Sequence, residues 1–114
     1  MSGNPYSTPK EKFAIARSAL MVPVQDESDA IASAFFHVGL GLYHFDRAHA
    51  DEGIPDRLAK IDCAMDTDGL FDPDGRGLHR AKAANMTVED KRTFSRNVDE
   101  CATWFARAYW KAGS

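Results

Sequence analysis

The chain has 114 residues, a net charge of −3, 44% hydrophobic and 27% charged residues, with seven Phe, three Tyr and two Trp. That is enough chain for one domain with a modest core, and the composition is that of a globular protein, not a disordered one. The negative balance speaks against nucleic acid or an anionic membrane surface as the main partner.

Residues 1–7, with Gly3, Asn4 and Pro5, read as a flexible tail ahead of a single domain over residues 8–112. The N-terminus has no apolar signal core, and no segment approaches the 18 apolar residues of a membrane span, so a cytoplasmic protein is expected. "TPKE" then opens the first helix: Thr8 suits the N-cap, Pro9 the first helical position, and Glu11 closes a capping box. Phe13, Ala16 and Leu20 share one face, and Pro23 ends the run.

"DESD" places acids at the positive end of a second helix, expected to begin near residues 26–28 and to reach about residue 51. At about 100° per residue, Ile31, Phe35, Val38, Leu42, Phe45 and His49 form one seam. Phe36, Leu40 and Tyr43 form a second apolar stripe on the opposite side. A helix apolar on both sides is either central in its own bundle or covered by another chain, which makes these three residues candidate partner contacts.

The same helix carries three of the four histidines. His37 and His44 stand about 10 Å apart along the axis, too far to share one small ion, and His49 points about 140° away from His44. Gly41 lies between the first two, so His37, Gly41 and His44 could wall a notch for haem or another flat ligand. The favoured reading is close packing of a neighbouring helix on Gly39 and Gly41, with the imidazoles hydrogen-bonded at its edges. Asp46 and His49 have the acid-x-x-His spacing of di-iron carboxylate bundles, with Glu52 a further acid nearby, which would allow a divalent metal. The motif does not recur, because the remaining histidine, His79, has Arg76 in the matching place.

A third helix, about residues 55–65, buries Leu58, Ile61 and Met65. "DTDGLFDPDGRG" is a long Asp/Gly-rich loop between the third and last main helices. Neither calcium-loop frame in it supplies the final bidentate Glu, so its composition is that of a turn former. Acids dominate from Asp46 to Asp74 and bases from Arg76 to Arg96, and such neighbouring blocks are expected to pair with one another or face water. After a short helical piece over "LHRAKAA", Thr87 and Asp90 start the last main helix, about residues 88–111, whose seam is Phe94, Val98, Cys101, Phe105 and Ala108. Trp110 falls on the polar side of this helix and is a candidate partner anchor, with Trp104 and Tyr109 at the core margin. Cys63 and Cys101 lack CxxC spacing and are expected to be buried, reduced thiols.

The sequence therefore predicts an all-α fold, a small bundle of about four helices. No catalytic motif is present, so an enzyme is not the favoured class. The expected function is a protein–protein interaction or regulatory module, homodimeric through Phe36, Leu40 and Tyr43, with Trp110 open to a partner. The alternative is a small-ligand, haem or metal-binding bundle using His37 and His44 around Gly41.

Overall fold

The computed structural model describes residues 4–21, 27–51, 53–71 and 77–113, and every structural statement below concerns these residues. They form five α-helices: α1 (Ser7–Met21), α2 (Glu27–Leu42), α3 (Ile54–Met65), α4 (Leu78–Ala84) and α5 (Val88–Lys111), with a single 3₁₀ turn at Arg47–His49. The all-α expectation is met, and no strand occurs among the described residues.

α1 packs chiefly on α2 and α5, α4 on α2, and α3 on α5. The shared core joins Phe13 of α1, Phe35 and Val38 of α2, Leu58 and Ile61 of α3, and Phe94, Val98 and Phe105 of α5, each no more than 1% exposed. Two of its ring pairs are in contact: Phe13 lies 4.9 Å from Phe105 with the rings tilted by 48°, and Phe35 lies 4.9 Å from Phe94 at 80°, edge to face. Edge-to-face pairs of this kind add roughly 0.5–1.5 kcal/mol beyond area burial.

The helix starts show which local signals prevail. α5 opens with the expected capping box: Asp90 N donates to Thr87 Oγ1 at 3.0 Å, and Thr87 N donates to Asp90 Oδ2 at 3.2 Å. α3 starts after Gly53, whose φ of 82° is a left-handed conformation that glycine adopts without strain. α1 starts earlier than the "TPKE" reading. Asn4 Oδ1 accepts from Tyr6 N at 2.9 Å and Asn4 O accepts from Ser7 N at 3.1 Å, so Thr8 lies inside the helix.

That same Asn4 donates through Nδ2 to Tyr109 O at 2.9 Å, and Tyr6 packs against the core, so residues 4–7 dock on the bundle instead of forming a tail. Residues 1–3, Pro23, Asp26, Glu52 and the loop positions 72–76 lie outside the described residues. In the described part of the loop, Asp66 Oδ1 accepts from Asp68 N at 2.9 Å and Gly69 has a φ of 77°, both turn-forming features.

The largest departure is at the end of α2. The helix stops at Leu42, nine residues before the expected end, and the chain turns over 43–44. Asp46 then caps the 3₁₀ turn by accepting from Ala48 N at 3.0 Å. The turn brings Phe45 edge-on to Phe105 at 5.1 Å and 83°, a contact that joins the segment after α2 to the core side of α5.

The ion pairs also depart from the expected block-to-block pattern. Lys91 bonds Glu27 at 2.6 Å and Arg80 bonds Asp29 at 3.1 Å, so bases of α4 and α5 hold the acidic first turn of α2. Within the acidic stretch, Arg47 grips Asp62 through two bonds of 2.6 and 3.0 Å, and this carboxylate holds the guanidinium above its ordinary pKa. Arg57 reaches from α3 to both Glu100 and the buried Asn97 of α5, bonding Asn97 Oδ1 at 3.3 Å. Asn97, 4% exposed, is a buried polar residue that the seam pattern does not reveal.

Candidate interaction face

α2 has no charged side chain after Asp29, and its two long faces have different surroundings. One face, Ile31, Ala34, Phe35 and Val38, is buried. On the other, Phe36 is 54% and Leu40 41% exposed, and Tyr43, in the turn just past the helix, is 78% exposed. Trp110, 65% exposed, lies near the C-terminus of α5, its ring 5.1 Å from Tyr109. Lys10 Nζ sits 4.9 Å from the centroid of Tyr109 and 5.9 Å from that of Trp110, so a cation from α1 caps this aromatic pair.

The histidines fall into separate environments. His37 is half-buried beside Phe36, with Nδ1 2.9 Å from Ser33 O. A carbonyl can only accept, so Nδ1 carries a proton and Nε2 is left facing outward from that bond. His44 is exposed in the turn, with its ring 4.3 Å from Tyr43.

Gly41 is occupied territory. A Cβ built on it would lie 3.1 Å from Lys12 Cβ, 3.4 Å from Phe13 Cδ1 and 3.5 Å from Pro9 Cα. α1 therefore packs onto Gly41 and fills the place that the alternative reading gave to a notch between His37 and His44. Gly39 does not share this duty, since its nearest neighbour would be Met65 Cε at 3.9 Å, an ordinary contact. A shallow cleft of about 290 Å³ does open beside Gly41, between the start of α1 and the turn after α2, with Tyr43 and His44 on its rim. It is at the lower limit of small-ligand pockets and well short of a haem.

The Asp46–His49 pair loses its helical spacing with the early end of α2. Asp46 turns a carboxylate oxygen onto Ala48 N, while the His49 ring stands 6.0 Å from Tyr6 and 6.2 Å from Phe45. Among the described residues no group of three or more His, Cys, Asp or Glu side chains is arranged to hold a metal ion. His79 packs edge-on to Phe35 at 5.6 Å, linking α4 to α2.

The two thiols also differ. Cys101 is fully buried, and burial pushes its pKa up to about 12. Cys63 is exposed, against expectation, because it lies on the outer side of α3, two residues after the buried Ile61. Among the described residues no helix is long and apolar enough to cross a membrane. Comparison of the chain with protein-family models, with curated proteins and with solved structures finds no match.

Proposed function

We propose that this protein is a non-enzymatic interaction module that pairs with a second copy of itself through Phe36, Leu40 and Tyr43. The observation that carries the reading is the exposure of Phe36 and Leu40 on α2 and of Tyr43 just past its end, with no charged side chain in α2 after Asp29, while the opposite side of the helix is already buried. A neutral face gives a charged partner nothing to select. Placed against itself across a two-fold axis, it brings no like charges together.

Two aromatic side chains of about 150–250 Å² each, exposed by 54% and 78%, together with Leu40 present on the order of 300 Å² of apolar surface. That is under half of the ~800 Å² per partner of a standard interface, so the pairing is weak and reversible. Such an affinity suits a regulatory module whose state follows its own concentration. Trp110 beside Lys10 offers a separate aromatic anchor for a different protein.

The test is sedimentation equilibrium from low micromolar to high micromolar protein. The wild type is expected to move from monomer to dimer mass over this range, and Leu40→Glu to stay monomeric with an unchanged melting temperature. A wild type that remains monomeric at the top of the range, or a dimer indifferent to Leu40→Glu, would overturn the reading.

A further inference from the structure

A pocket of about 270 Å³ lies where Tyr6 and Asp51 meet the last turns of α5, and its polar groups are of both signs. Its inner wall is held in place by contacts already made. Trp104, 7% exposed, donates from Nε1 to Asp51 Oδ1 at 3.1 Å, which fixes that carboxylate at the pocket. Tyr6 stands edge-on to Trp104 at 5.7 Å and 82°, and its hydroxyl donates to His49 O at 3.3 Å.

Arg107 and Lys111 of α5 also line the pocket, one helical turn apart and therefore on one side. Neither forms an ion pair with another described residue. Two bases near a helix C-terminus offset the dipole. That duty does not call for a carboxylate pinned by a buried indole in the same cavity.

We propose that this pocket binds a small zwitterion, an α-amino acid or a molecule with the same charge pattern. The ligand carboxylate lies between Arg107 and Lys111, and its ammonium lies on the Asp51 carboxylate. A compact apolar group rests against Tyr6 and Ala108. At about 30 Å³ per water the cavity has room for about nine waters, and so for a ligand of about ten non-hydrogen atoms. Charge-assisted bonds at both ends orient such a ligand, whereas a simple anion meets Asp51 and a simple cation meets the two bases.

The experiment follows the Trp104 indole N–H signal of the full chain by NMR at low salt, with three probes: leucine, 4-methylpentanoate, which lacks its ammonium, and 3-methylbutylamine, which lacks its carboxylate. Leucine is expected to shift that signal saturably, with each one-charge probe at least fivefold weaker. Asp51→Asn keeps an acceptor for the indole, and should bind leucine no better than 4-methylpentanoate. The double variant Arg107→Gln, Lys111→Gln should bind leucine no better than 3-methylbutylamine. The proposal fails if 50 mM leucine leaves the signal in place, if the three probes bind alike, or if inorganic phosphate moves it as strongly as leucine does.

Discussion

Gly39 and Gly41 stand two residues apart in α2 and answer to different forces. Both lack the side chain that favours a helix, a deficit of about 0.5–1 kcal/mol each relative to alanine. At Gly41 α1 occupies the space, and the Lys12 Cβ at 3.1 Å is tied to its backbone, so it cannot swing aside. Gly41→Ala is expected to force α1 outward and to cost about 1 kcal/mol in spite of the helix gain. Gly39→Ala meets only a flexible methionine end and should gain about 0.5–1 kcal/mol; opposite shifts in the urea midpoint test the pair. The cysteines divide in the same way. Native protein should release one equivalent of thiol to a disulfide reagent at once, from Cys63, and the second, from Cys101, only on unfolding. The Cys101 pKa is raised in the folded state from 9.0 to about 12. The unfolded chain therefore gives up this proton first. The stability contributed by the protonated thiol is complete below about pH 9 and lost as pH climbs towards 12, and Cys101→Ala should flatten that part of the pH–stability curve measured by urea unfolding.

At the scale of helices, legibility followed the kind of signal involved. Phe94, Val98, Cys101 and Phe105 are buried as their spacing predicts, and α5 starts where its capping box places it, because a long amphipathic helix is specified redundantly along its length. Thr87→Ala should accordingly cost about 1 kcal/mol in urea unfolding, while leaving the rest of α5 helical by circular dichroism. α2 misled because Leu42, Phe45 and His49 continue the helical spacing past the true end. Phe45 and Leu42 do reach the core margin, but Phe45 does so from a turned backbone. The one local hint was Asp46, a strong N-cap residue standing inside an apolar run. The histidine notch was unreadable for a related reason. Spacing identifies which residues share a helix side, but the filling of Gly41 depends on where Pro9, Lys12 and Phe13 cross it, and that is a tertiary fact. The pocket of Tyr6, Asp51, Trp104, Arg107 and Lys111 draws on residues up to 105 positions apart; Trp104, Arg107 and Lys111 share a helical spacing, but nothing local joins them to Tyr6 and Asp51.

For the whole molecule, the proposed pairing makes a statement about shape and salt. One copy measures 46 × 28 × 25 Å, and its Cα radius of gyration of 14.3 Å is slightly above the roughly 13 Å of a compact chain this long. Phe36 and Leu40 lie along the side of α2 with Tyr43 just past its end, so two copies joined there lie flank to flank. X-ray scattering at high concentration should then show twice the monomer mass with a maximum dimension well below twice 46 Å. Salt separates the contacts further. The α2 face has no charge to screen, so its dissociation constant should change less than about threefold between 50 and 500 mM sodium chloride. A dimer held by the surface bases and acids would loosen over the same range. A compact, salt-tolerant dimer that vanishes in Leu40→Glu fits only the α2 face, and an elongated or salt-sensitive one would move the contact elsewhere.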